Sequence, residues 1–268
     1  MKKIALIVIV FSFQVQHIFA QVVLKADGPG ETYELINSVF APGYNAVEAP
    51  DCSHPEFGRH IDEIFDEELN DYVFRFFIHK SQDNDRCKKF DRQRNEIKSY
   101  KSSPENLKAV EGEKVIYKWK FKLPKNFQLS SNFTHLHQIK SVGGMYAGVP
   151  MYSLTARKGQ PDKLELRYTS TKSQFTIEKV DITPFKGVWV EAEEIIAFGE
   201  EGSYSLVIKS VSTGKTLFKY KNKSTINWQK GAEFARPKWG VYRSLKSSNL
   251  LKDEQILFAD FSIEELSK

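Results

Sequence analysis

Val188-Trp189-Val190-Glu191-Ala192-Glu193-Glu194-Ile195-Ile196-Ala197-Phe198, the turn Gly199-Glu200-Glu201-Gly202, the run 204–211 and a second turn Ser212-Thr213-Gly214-Lys215 decide the fold class. Within both runs apolar and polar residues alternate with a period of two, the pattern of a strand with one buried and one wet face. The Gly-bearing turns between them read as hairpin connections. The same period recurs at 71–79, 114–122, 163–169 and 256–263. Helical pattern is confined to the short stretches 55–70 and 103–110. No repeat, low-complexity tract or linker divides the chain. Ten or more short strands in one continuous run predict an all-β domain, a concanavalin-like β-jelly-roll sandwich whose curved sheet forms a groove.

Composition agrees with a packed domain. The chain has 268 residues, 41% hydrophobic and 13% aromatic, enough for a sizeable core and too apolar for disorder. Its net charge is +5 and falls to +3 without Lys2 and Lys3, too small an excess for a nucleic-acid binder but tolerant of a polyanion. Lys2 and Lys3, the apolar run 4–13 and small Ala20 read as a secretory signal over 1–20, leaving one domain over 21–268 and a secreted or periplasmic address. No later apolar stretch is long enough to span a membrane. In an oxidising compartment Cys52 and Cys87 are expected to pair. His54 and His60 show no recognised zinc spacing, so no metal site is expected. Asp83, Asn84 and Asp85 form an oxygen-rich loop of the kind calcium uses, but a solvated turn is the simpler reading and no cofactor is required.

Three segments break the rule that the outward face of a strand is bland. In 90–98, Arg92, Arg94, Glu96 and Lys98 share a face at intervals of roughly 6 to 7 Å. In 133–140, His135 and His137 sit at i, i+2 beside Gln138 and Lys140. In 236–244, Lys238, Gly240 and Tyr242 face one way, with a mid-strand glycine of the kind that marks a close ligand approach.

Arg94-Asn95-Glu96-Ile97, His135-Leu136-His137 and Lys238-Trp239-Gly240-Val241-Tyr242 resemble the three signature strands of jelly-roll polysaccharide lyases. In the alginate-lyase branch these read Arg-x-Glu-Leu, Gln-Ile-His and Lys-x-Gly-x-Tyr, in the same order. The fuller wording of 91–98, 135–140 and 236–243 is more similar to the glucuronan-lyase and heparin-lyase-I-like group, and the similarity runs from about residue 71 to the C-terminus. One departure is His135, where the alginate lyases have Gln.

The resemblance implies β-elimination on a uronic-acid polymer, glucuronan first. That chemistry removes the C5 proton beside a carboxylate, so the carboxylate charge must be neutralised as it takes on enolate character. Arg94 suits that role with help from His135 or Gln138. His137 is the first choice as base with Tyr242 as acid, although Tyr242 can do both if the C5 proton and the leaving oxygen lie on one side. Lys238, Lys140, Arg243 and Arg92 would hold neighbouring uronates, and Glu96 would orient Arg94. The partner is then an acidic polysaccharide, with no nucleic acid or membrane, and a monomer is expected. The main rival is a non-catalytic glycan-binding module. A glucanase is weaker, because Asp62-Glu63-Ile64-Phe65-Asp66-Glu67-Glu68 has the wrong carboxylate spacing, and no Gly-x-Ser-x-Gly supports nucleophilic hydrolysis.

Overall fold

A computed structural model describes residues 21–267; the expected leader over 1–20 lies outside the described residues. In chain order the elements are β1 (Val22–Leu24), α1 (Thr32–Phe40), β2 (Val47–Glu48), β3 (Ile61–Asp66), β4 (Asp71–Ile78), β5 (Arg92–Lys98), β6 (Lys114–Lys122), β7 (Thr134–Val142) and β8 (Tyr152–Arg157). There follow β9 (Lys163–Tyr168), β10 (Phe175–Asp181), β11 (Trp189–Ala197), β12 (Gly202–Ser210), β13 (Thr216–Thr225), β14 (Phe234–Ser244) and β15 (Glu254–Ser267). They form two antiparallel sheets packed face to face. One is ordered β13-β12-β11-β6-β15-β4-β3, with β1 on β15; the other is β10-β9-β8-β7-β14-β5-β2. The jelly-roll sandwich expected from the period-two runs is the fold.

Alternation builds the core. Val115, Tyr117, Trp119 and Phe121 of β6, with Val190, Ala192 and Ile196 of β11, point at Leu136 and Ile139 of β7, Leu154 of β8 and Trp239 and Val241 of β14. Each such side chain taken from water contributes roughly 1.5–3 kcal/mol. The turn at Ser212-Thr213-Gly214-Lys215 closes where Gly214 adopts φ +67°, which a glycine enters without steric cost.

Two local expectations differ. The stretch 55–70 holds β3 rather than a helix: Ile61 and Glu63 are buried while Asp62 and Ile64 are only half-buried, a period of two that breaks at the exposed Phe65. Within 103–110 only a 3-10 turn, Glu105–Leu107, forms. The one α-helix among the described residues, α1, buries Thr32, Ile36 and Phe40 at spacings of four, and Phe40 stacks on Trp239 at 5.9 Å. Its N-cap, Glu31, makes no side-chain capping bond, so the usual start signal is missing.

Cys52 and Cys87 are bonded, with Cα atoms 6.2 Å apart. The separation of 35 residues corresponds to about 3–4 kcal/mol in the chain-entropy account of cross-links.

Candidate active site

The three signature segments are neighbours: β14 lies between β7 and β5. Tyr242 pairs with Arg94 on one side and His135 on the other, and Lys238 pairs with Lys98 and Gln138. Their outward side chains meet on one face. Arg92 Nη1 donates to Tyr242 Oη at 2.9 Å, and the Arg94 guanidinium lies 3.6 Å over the Tyr242 ring. The His135 ring stands 5.9 Å from that of Tyr242, with Phe133 packed on both at 4.7 and 5.1 Å. His135 Nδ1 has no hydrogen-bond partner among the described residues.

Beneath Tyr242 lies a buried ion network. Glu96 accepts from Arg94 Nη1 and Gln138 Nε2 and pairs with Lys238 Nζ at 2.7 Å. Asp85 receives Arg94 Nε and Nη2 at 2.9 and 3.2 Å, a two-point grip. Glu48 of β2 pairs with Lys98 Nζ at 2.6 Å and also meets Lys238 and Arg86. Four cations thus face three carboxylates. Burial pushes Glu96 toward protonation, but Lys238 and Arg94 outweigh it and hold its carboxyl below the usual range. Burial likewise opposes ionisation of Glu48 and Asp85, and the surrounding cations keep both lowered. For Lys98, burial wins over Glu48 and brings the ammonium down to about 8. For Lys140, burial and then the charges of Lys238 and Arg94 do the same, to about 8. His135 falls to about 3, chiefly through burial, with Arg157, Arg94 and Arg167 adding to it against Glu96, so its imidazole is neutral at neutral pH.

His137 is not in this group. Its Nε2 pairs with Glu194 Oε2 of β11 at 2.8 Å, inside the sandwich, and its ring stacks on Trp119 at 4.3 Å. His135 and His137 therefore lie on opposite faces of β7. The reason is a bulge: two steps on β7, from His135 to His137, match one on β8, and three steps on β14 match the same two on β7. The extra residue turns Leu136 and His137 inward together. As base, His137 is withdrawn.

Other placements change too. Arg243 is 1% exposed and points inward, with Nε on Gln93 Oε1 at 2.7 Å and Nη1 on the Lys252 carbonyl, so it cannot hold a uronate. Lys238, 4% exposed and locked on Glu48 and Glu96, neutralises buried carboxylates. Gln138 is bound to Glu96, and Arg94 is held by Asp85 and Glu96, so both act from beneath. Lys140, with Nζ only 3.3 Å from the Gly148 carbonyl, and Arg92 stay at the margin. Gly240 does not clear room for a ligand: at φ +133°, a Cβ there would lie 2.2 Å from the Asn95 carbonyl oxygen of β5, so glycine permits the strands' close approach. Nor is 83–85 a solvated turn. Asp83 and Asp85 are buried, Asp85 grips Arg94, and Asn84 Oδ1 receives the Cys87 amide.

Sequence reasoning missed Glu48, Asp85 and Arg86, which enter from outside the signature strands, and Arg157 and Arg167 on β8 and β9. The carboxylates of the glucanase-like stretch are separated, with Asp62 on Arg75 and Glu63 on the amides of Asp27 and Gly28. A cavity of about 630 Å³ opens over the other sheet, beside Glu68, Arg75 and Lys122. It gathers no histidine or tyrosine, so the chemistry favours the outer face of β5, β14 and β7.

No protein-family profile and no curated protein sequence matches the chain. Solved structures do. An endo-β-1,4-glucuronan lyase from the fungus Trichoderma reesei superposes with TM-score 0.56 at 11% identity over 76% of this chain and 86% of its own. The marine PL-14 alginate lyase from Aplysia kurodai gives 0.59 at 14% identity, over 93% and 100%. Alginate lyase A1-II', a member of polysaccharide lyase family 7, gives 0.55 at 12%, over 83% and 94%. With two antiparallel sheets stacked in this order, the chain has the jelly-roll fold seen in these polysaccharide lyases.

Proposed function

We propose that the chain is a secreted polysaccharide lyase that cleaves a uronic-acid-containing polymer, glucuronan first, by β-elimination. The observation that carries this reading is the constellation around Tyr242: a guanidinium donating to its oxygen, a second guanidinium over its ring and an unpartnered imidazole beside it. A tyrosine base takes a proton from carbon as its phenolate, and Arg92 Nη1 is the donor that faces that oxygen. Tyr242 removes the C5 proton of the uronate, the electron pair forms the C4–C5 double bond, and the C4–O4 bond breaks. The proton then passes from the Tyr242 phenol to the departing O4. His135, neutral, donates a hydrogen bond to the substrate carboxylate, and the excess positive charge beneath stabilises the enolate.

The test is to mix purified protein with glucuronan, alginate, a heparin-type glycan and ulvan and follow the ultraviolet absorbance of the unsaturated uronate. Product from at least one polymer, largest with glucuronan, is expected. Binding of these polymers with no unsaturated product from any would overturn the lyase and leave a glycan-binding module.

A further inference from the structure

His54, His60, His79 and Asp83 come from separate parts of the chain: the loop after Cys52, the residue before β3, the residue after β4 and the turn beyond it. Their ligand-capable atoms all lie within 4.8 Å of one another. Asp83 Oδ1 is 3.1 Å from His54 Nδ1 and 3.1 Å from His60 Nε2, and Asp83 Oδ2 is 3.3 Å from His79 Nδ1. Four donors held about 2.0–2.1 Å from a tetrahedral ion are separated by roughly 3.3–3.4 Å, so the distances to Asp83 already fit and the widest spacing, up to 4.8 Å, asks the rings to close in around the ion. We propose that these four residues bind one divalent transition-metal ion, zinc foremost.

The surroundings fit a metal better than a plain hydrogen-bond cluster. Asp51 Oδ1 takes the Nδ1 side of His60 at 2.8 Å, which turns the Nε2 lone pair toward Asp83. Two acceptors facing each other at 3.1 Å need a proton or a cation between them. Protonating all the rings would crowd three positive charges around one carboxylate, whereas one dication serves all four donors. His79 Nδ1 is buried and makes no hydrogen bond. Carboxylates behind the outer nitrogens, Asp51 for His60 and Glu56 3.6 Å from His54 Nε2, are the usual support for metal-bound imidazoles. Three imidazoles and one carboxylate select zinc-like ions over calcium or magnesium, which prefer all-oxygen cages.

The site is closed. His60 is fully buried, and the Phe57 ring covers the cluster, 5.4, 4.8 and 4.2 Å from the rings of His54, His60 and His79. With four protein ligands and an aromatic cover the ion is structural. It would pin the loop whose Asp85 grips Arg94, and Gln93 and Asn95 of β5 tie the same loops by donating to the carbonyls of His79, Asp83 and His60.

The proposal is tested on untagged protein with its disulfide intact, stripped with a chelator and titrated with zinc chloride. One zinc per chain, retained through gel filtration and raising the melting temperature, is expected, with no equivalent effect of calcium. Cobalt(II) should give the intense visible bands of a four-coordinate ion. His79→Ala should lower zinc affinity by more than the about 10- to 100-fold that losing a supporting carboxylate costs. Should that variant not fold, the cobalt spectrum of the unmodified protein decides alone. Absence of zinc binding by the folded protein, a weak six-coordinate cobalt spectrum, or full zinc affinity in folded His79→Ala would overturn the proposal. None of these readings depends on lyase activity.

Discussion

The two faces of β7 carry one histidine each, and the two have opposite fates. His135, outward, sits beside Tyr242 with a free ring nitrogen over a buried bed of ions. His137, inward, is clamped between Trp119 and Glu194. The outward imidazole makes no ion pair among the described residues and lies against Phe133 and Tyr242. The inward one pairs its Nε2 with a buried carboxylate, while its Nδ1, like that of His135, is buried without a hydrogen bond. Position in a motif therefore does not assign chemistry; the face does.

The comparison breaks most sharply at Tyr242. Tyr242→Phe removes only the hydroxyl that accepts from Arg92. Turnover on the best polyuronate should drop by about 10²- to 10⁴-fold, the usual worth of a positioned proton transfer. The melting temperature should hardly move, since the ring keeps its place against Arg94 and Phe133. Undiminished turnover would show that the outward face is not the reacting one.

His137→Leu should give the opposite profile. It strands the Glu194 carboxyl, fully buried, with the Tyr204 hydroxyl as its remaining hydrogen-bond partner at 2.6 Å. Stability should fall by about 3 kcal/mol, read from denaturant unfolding, while the folded fraction keeps its turnover within a few-fold. Adding Glu194→Gln should restore part of the loss by removing the buried acid. A collapse of turnover with stability intact would return His137 to the catalytic group.

Much of this was legible in the sequence, and the remainder has identifiable causes. Strands such as β6 and β11 fall within a residue of where alternation puts them, because each has one face in the core. Arg243 shares the parity of Trp239 and Val241, and that alone assigns it inward. Leu136 and Ile139 are both large and apolar but three apart, so no regular strand can bury both; that mismatch, with Gly240 across the ladder, is the sequence trace of the bulge. Glu48 and Asp85 were not legible, since they reach Arg94 through strand pairing and loop placement that local pattern does not encode. The His54, His60, His79 and Asp83 cluster escaped for the same reason: its spacing exists only after folding.

The ion bed also sharpens the comparison through pH. Glu48, Glu96 and Asp85 all have lowered carboxyl values, the cations outweighing burial. A carboxylate lowered by folding contributes stability that is present above its unfolded value, about 4–4.5, and lost as pH falls through the folded one. The contribution of these three carboxylates should therefore be constant near neutrality and be lost progressively below about pH 4.5. Replacing Glu96 with Gln should flatten the acid limb and lower stability at pH 7, because Lys238 and Arg94 lose a partner. An unchanged acid limb would mean the network contributes nothing to folding.

The smallest effect is expected at the margin of the outward face. Burial, then Lys238 and Arg94, bring Lys140 down to about 8, and among the described residues its side chain makes one hydrogen bond, a long one to the Gly148 carbonyl. It is charged below that value and neutral above it, so affinity for a polyanion should weaken as pH rises from 7 to 9. A single marginal ion pair is worth about 0.2–1 kcal/mol, so the change should be no more than about fivefold in KM. Lys140→Met should match the high-pH behaviour at pH 7 and show a shallower dependence on salt, having one fewer screened contact. Lys98 titrates in the same range but is held by Glu48 under the surface, so its discharge should appear in stability and leave KM alone. If Lys140→Met keeps the full alkaline rise in KM, the polymer does not run past Lys140, and its path must be sought toward Arg157 and Arg167 instead.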